Sequence, residues 1–302
     1  MSAVVVLQQM TVIAVLVCIG VYLEKKGVLG EKVTGSISRL IVELCNPALT
    51  VSAVISGNIT VSHSEFLTGL GIGAALYTSL CLLGYLIPVL LRVKKDERKY
   101  YTLMTIYTNV GFLGIPVARA VLPENAMIYV IICNVAYSIL FYTHGMMTLS
   151  DGKEKPDLRK MINPGVIMAA AALLIFWFDI KLPAVVANSL SYIGSPTVFL
   201  SMILLGSAVA KSSLSDMKDK RLWLFTLFRI AAVPAAAVLI LRITGIPSEM
   251  VRTFCLMCSV PVGNLPLIQA QRTGQRTDIL SRGIIITTAF SFISITFFMS
   301  LV

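Results

Sequence analysis

The chain has 302 residues, 57% of them hydrophobic and only 13% charged, with a mean hydropathy of +0.86. Soluble domains carry about 25% charged residues, so this composition excludes an ordinary water-soluble enzyme. The net charge of +10 does not point to nucleic acid: Lys and Arg fall in short clusters between apolar runs, with no basic patch interleaved with aromatics.

In chain order, apolar stretches near 4–23, 35–56, 66–91, 99–118, 126–149, 163–180, 184–210, 221–243, 249–270 and 279–301 are each predicted to be helices. Most reach the roughly 20 residues that cross a bilayer. The connections between them are short and leave no room for a soluble catalytic domain. The first stretch has no basic residue before it, so it reads as a span and not as a cleaved signal. The six cysteines, Cys18, Cys45, Cys81, Cys133, Cys255 and Cys258, lie in or beside these runs. None has the loop setting of a disulfide framework. The Cys255/Cys258 spacing lies within a helix and lacks His or acidic neighbours, so it reads as packing.

Loop charges set the direction of each crossing. Lys25, Lys26, Lys32 and Arg39 flank the first loop; Arg92, Lys94, Lys95, Arg98 and Lys99 the third; Lys153, Lys155, Arg159 and Lys160 the fifth. The seventh carries Lys211, Lys218, Lys220 and Arg221, and the ninth Arg272, Arg276 and Arg282. The alternate loops hold only Arg119, Lys181, Arg242 and Arg252. Cytoplasmic loops collect Lys and Arg, so the odd loops face inward and both termini lie outside a plasma membrane.

The chain also repeats itself at an offset of about 150 residues. Asn46-Pro47-Ala48-Leu49 corresponds to Ser195-Pro196-Thr197-Val198, and Asn109 to Pro116 (NVGFLGIP) corresponds to Ser259 to Pro266 (SVPVGNLP). Five spans per half is an odd number, so the second half is inverted. The expected fold is an all-α membrane protein of ten transmembrane helices in two inverted five-helix repeats. Residues 1–150 and 163–302 form the halves, and 151–162 is a cytoplasmic connecting loop.

Spans four and nine carry the strongest functional signal. Asn109, Gly111, Gly114 and Pro116 crowd one segment; Pro261, Gly263, Asn264 and Pro266 crowd the other. Proline removes a helical hydrogen bond and clashes with the preceding turn, so both spans are expected to be broken near mid-membrane. Broken helices at matching places in two halves mark transporter binding sites. Their half-helix N-termini present unpaired N–H groups and positive dipole ends, which suit an anion. Asn109 and Asn264 add amide groups.

At these residues the chain resembles the auxin efflux carrier family, in its bacterial form. The likeness rests on NPALT at 46–50, NVGFLGIP at 109–116 and the Pro261/Gly263/Pro266 segment, and it extends over essentially the whole chain. The resemblance implies a fold like that of sodium/proton antiporters and bile-acid symporters, with spans four and nine crossing inside a mobile domain of spans 3–5 and 8–10. Spans 1, 2, 6 and 7 would form a scaffold that pairs into a homodimer. By position, Asn46 and Thr50 fall on span two near a gate, and Asn134 falls on span five beside the substrate.

Intramembrane charges default to functional hypotheses. Glu43 is placed as the deep carboxylate of span two and a candidate for proton uptake. Arg229, eight residues into span eight, is a candidate to meet an anionic substrate or to pair with Glu43. Each has a structural counterpart: a helix–helix hydrogen bond for Glu43 and snorkelling for Arg229. His63 reads as a solvated loop residue, His144 as structural and Arg119 as interfacial. The expected function is a secondary carrier of a small organic anion working by alternating access in the inner membrane, without a cofactor. Coupling to protons or sodium is left open. The rivals are a cation antiporter, which needs acids where span five offers Asn134, and a receptor, which needs an output domain. No metal-ligand or catalytic constellation is present.

Overall fold

The computed structural model describes residues 3–55, 59–152, 162–211 and 219–302. The basic residues Lys153, Lys155, Arg159, Lys160 and Lys218, and most of the loop 151–162, lie outside these. The described residues form helices α1 (Ala3–Lys25), α2 (Glu31–Ile55), α3 (His63–Leu90), α4 (Arg98–Ile106), α5 (Val110–Val121) and α6 (Ala126–Leu149). They continue with α7 (Pro164–Trp177), α8 (Ala184–Ala210), α9 (Lys220–Ile243), α10 (Ser248–Ser259), α11 (Leu265–Arg272) and α12 (Asp278–Leu301). Seven are long and apolar enough to cross a membrane: α1 from Leu7, α2, α3, α6, α8, α9 and α12. Helices α5 and α7 are apolar but shorter.

The distribution of side chains is that of a protein solvated by lipid. Leu7, Val12 and Val15 on α1, Leu67, Leu82 and Leu86 on α3, Leu239 and Ile240 on α9, and Ile293 and Phe297 on α12 are all exposed. In water each such side chain forfeits roughly 1.5–3 kcal/mol of burial; against acyl chains it forfeits almost nothing. The core sits inside this shell. Every residue of α4 from Tyr100 to Ile106, of α6 from Ala126 to Cys133 and of α10 from Thr253 to Ser259 is buried.

Without a hydrophobic drive between helices, small residues set how closely they pack. Helix α1 lies along the second half of α8, where Gly20 meets Gly206. A Cβ on Gly206 would stand 2.1 Å from the Val17 carbonyl oxygen. The second half of α2 packs against α7 and the start of α8. There Gly194 lies so close to Leu49 that a Cβ would meet its backbone at 2.7 Å. Leu49 of the NPAL motif therefore touches the residue that precedes SPTV. Helix α3 packs on α4 and α6, and α10 on α6, α9 and α12.

The prolines leave a consistent mark on the helices. Wide π turns occupy 41–45, 110–114 and 228–232, each ending two residues before Pro47, Pro116 or Pro234. Proline cannot donate to the carbonyl four residues back, and its ring collides with it. The chain answers with a turn closed by a bond five residues back: Asn46 N–H reaches Ile41, Ile115 N–H reaches Val110 and Val233 N–H reaches Phe228. Among the described residues one further π turn, 141–145, has no such proline and carries His144.

Candidate functional site

Both anticipated breaks are present. Helix α4 stops at Ile106 and α5 begins at Val110; α10 stops at Ser259 and α11 begins at Leu265. The two interruptions face each other and pair as a short antiparallel bridge between Thr108 and Val262. Asn109 N–H donates to the Pro261 carbonyl at 2.8 Å, and Gly263 N–H to the Tyr107 carbonyl at 2.9 Å. Val262 N–H donates to Thr287 Oγ1 of α12 at 3.1 Å, and that hydroxyl donates in turn to Gly283 O at 2.7 Å. Unpaired amides are intolerable away from water; Asn109 and Gly263 each find a carbonyl in the opposite break, and Val262 finds the α12 hydroxyl. The fit depends on Gly263: a Cβ there would lie 2.7 Å from the Thr108 carbonyl oxygen.

Two half-helices start at this bridge, and their first residues share a cavity. Asn109 is the N-cap of α5, its Oδ1 accepting from Phe112 N–H at 3.2 Å. Asn264 stands immediately before α11 and accepts Ile268 N–H on its backbone oxygen at 3.0 Å. Asn109, Phe112, Asn264 and Ile268, with Ser201 and Ser38 facing them from α8 and α2, line a cavity of about 60 Å³. Space of this size accommodates a few waters or a carboxylate group. Ser201 is 1% exposed, yet its Oγ has no hydrogen-bond partner among the described residues. Asn46 does not line the cavity; its amide nitrogen lies 3.5 Å from the Cβ position of Gly111, and its buried Oδ1 has no partner among the described residues. Two positive helix ends and the orphan Ser201 hydroxyl thus converge on one space. Among the described residues no acidic side chain lines it.

The other anticipated residues are placed differently. Thr50 is buried, but its hydroxyl donates to Asn46 O at 2.9 Å within its own helix. Pro116 and Pro266 are buried inside their half-helices. Asn134 is half-buried on α6 and does not line the cavity. Glu43 is not a buried acid: its side chain is 51% exposed on the outer face of α2 and is bonded to Arg39 at 2.8 Å, not to Arg229. Position along a span gives depth, but not which face a residue occupies. Arg229 is fully buried. It does not snorkel; its Nη1 donates to the Cys258 carbonyl at 2.6 Å, at the end of α10, and Nε and Nη2 have no partner among the described residues. A cation there complements the negative end of that half-helix. Arg119 keeps a buried Nη1 without a partner among the described residues.

Some polar contacts were not anticipated. Glu24, one residue before the end of α1, accepts from Ser207 Oγ at 2.6 Å and pairs with Lys211 at 3.5 Å, fastening α1 to α8. His144 is hydrogen-bonded on both nitrogens, and His63, exposed at the start of α3, also bonds the Trp177 carbonyl at 3.0 Å. Only spacing across helices could have revealed these, and a single sequence does not carry it.

Comparison with known proteins agrees with the motifs. A relative from Methanocaldococcus jannaschii, described as an uncharacterized transporter, is 25% identical over 297 residues, covering 94% of each chain. Residues 5–299 match the family described as Membrane transport protein. The chain belongs to that family, the auxin efflux carrier family, and is a multi-pass membrane transporter, not an enzyme.

Proposed function

We propose that the protein is a secondary carrier of a small organic anion, with the carboxylate bound in the cavity between the starts of α5 and α11. The observation that carries this reading is the convergence of Asn109, Asn264 and the orphan Ser201 hydroxyl on one space at two helix N-termini, lined by no acid among the described residues. A cation antiporter needs carboxylates there, and among the described residues none lines the cavity.

In this reading the chain crosses the bilayer ten times, in two inverted halves with both termini outside, and the paired breaks are the crossing of spans four and nine. The packing of α1 on α8, and of α2 on α7 and α8, supports a scaffold of those four helices. The remaining helices move against it in alternating access. The Ser201 and Ser38 side of the cavity belongs to the scaffold, and the asparagine side to the moving part. The family resemblance adds a homodimer through the scaffold.

The test is a thermal-stability screen of the purified full-length protein with malate, malonate and indole-3-acetate, with and without sodium. A ligand at 100 times its dissociation constant stabilises by about 2.7 kcal/mol. Asn264→Leu and Ser201→Val should abolish that gain. If no carboxylate stabilises the wild type at millimolar concentration, or if both variants respond as the wild type does, the anion site is refuted.

A further inference from the structure

His144 sits on the π turn 141–145 of α6, with a partner on each ring nitrogen. Nδ1 lies 2.9 Å from Tyr107 Oη; Nε2 lies 2.7 Å from Tyr85 Oη and 3.3 Å from Thr148 Oγ1. The tautomer follows from hydrogen counting. Tyr107 spends its one hydroxyl hydrogen on the Leu140 carbonyl, 3.0 Å away, so it accepts from His144 Nδ1–H. Nε2 of the neutral ring then accepts from Tyr85 or Thr148. Both of these are hydroxyls, which rotate to donate or accept. When Nε2 takes a proton they turn to accept it, and no bond to the ring is lost. Tyr85 is exposed and has room to reorient. The ring is therefore satisfied in both charge states, whereas a purely structural histidine is satisfied in one.

The other end of this network is the break. Tyr107 is the residue whose backbone carbonyl accepts Gly263 N–H, and its ring packs edge-on against Tyr137 and Phe141. One residue thus bonds His144 with its side chain and the opposite break with its main chain.

The groups facing the imidazole are Tyr85 from α3, with Cys81 one turn earlier, Tyr107 from the chain after α4 and Thr148 from α6 itself; Tyr137 and Tyr142 are the other titratable side chains on that stretch of α6. The charged groups on the packed elements are Arg98 and Lys99 of α4, the latter held by Leu149 O and Asp151, and Arg272 at the end of α11. None of these charges is bonded to the imidazole. We propose that His144 is a reversible proton-binding site, and that Tyr107 couples its charge state to the paired breaks. This makes His144, not Glu43, the group through which a proton acts on the carrier. The coupling to transport rests on the proposed function; the protonation itself does not.

The chain has two histidines, His63 and His144, so His63→Gln leaves one ring to observe. The experiment is a pH titration of the ring nitrogens of histidine-labelled, full-length His63→Gln in lipid bilayers, followed by nitrogen-15 magnetic resonance. The expected result is the Nδ1–H tautomer at high pH and a protonation step between about pH 5 and 8, the range in which histidine responds. Linkage is reciprocal, so Gly263→Ala, which disturbs the pairing of the breaks, should move that midpoint by at least about half a pH unit. Tyr107→Phe should do the same and serves if Gly263→Ala does not fold; Gly71→Ala, on open surface, should leave it unchanged. Absence of a step in this range, or a midpoint unmoved in both Tyr107→Phe and Gly263→Ala, overturns the proposal. A titration that behaves as expected in a protein that binds no carboxylate would refute only the carrier reading.

Discussion

Replacing Gly263 by alanine tests the geometry on which the site rests. The added Cβ would lie 2.7 Å from Thr108 O and 3.0 Å from Tyr107 O, both rigid backbone atoms. Relief requires the two breaks to separate by several tenths of an ångström. Overpacking of this kind costs about 1–3 kcal/mol. The Gly263–Tyr107 and Asn109–Pro261 bonds lie in the same short pairing and stretch together. Each contributes about 1 kcal/mol, and more when its groups are left unpaired in a buried site. The expected loss is about 2–5 kcal/mol, measured as a fall in melting temperature of the purified protein in lipid nanodiscs. Gly71→Ala is the control. No atom lies within 4 Å of its Cβ position on α3, and alanine in a helix is favoured over glycine by about 0.5–1 kcal/mol. If Gly263→Ala melts with the wild type, the breaks are not held by this pairing.

Three further outcomes follow from contacts elsewhere. Gly206→Val should cost about 3 kcal/mol or more, because its side chain runs into the Val17 carbonyl of α1; recovery of a monodisperse protein of unchanged thermal stability would show that the α1–α8 approach is looser. Glu24→Gln should lower stability by about 1–3 kcal/mol through the weakened bond from Ser207, with little of it from exposed Lys211, and the difference from wild type should persist in high salt. Arg229→Met should be neutral or mildly stabilising to folding. It removes a buried charge with a single bond among the described residues, so a loss above about 3 kcal/mol in chemical denaturation would mean that the Cys258 contact dominates.

Helix positions were legible in the sequence because bilayer thickness imposes a length that composition reveals. The sequence-derived ends of α6 and α8 coincide with those in the structure. The breaks were legible because Pro, Gly and Asn act on their own backbone, within a turn of themselves. What each break does for the other was not, since Tyr107 and Gly263 are brought together only by packing. The same limit misplaced Glu43. Its depth in span two could be counted, but the face it occupies depends on neighbours that a linear count does not see. Arg229 was rightly marked as unusual, yet its partner is a main-chain carbonyl, which no side-chain pattern announces. His144 looked solitary because Tyr85 and Tyr107 lie 59 and 37 residues away.

The wide turns before Pro47, Pro116 and Pro234 insert one residue beyond the regular α repeat, which rotates everything after them by about 100°. In α2 this separates an outward-facing stretch, Val42 to Leu44, from the fully enclosed run Pro47 to Val54. Deleting a single residue from 41–45 would restore an unbroken α phase and swing Asn46 away from Gly111, turning the polar face of the helix toward lipid while hardly changing its length. In these helices an insertion or deletion of one residue acts as a rotation, so the spacing between the π turn and its proline carries as much information as the residues themselves.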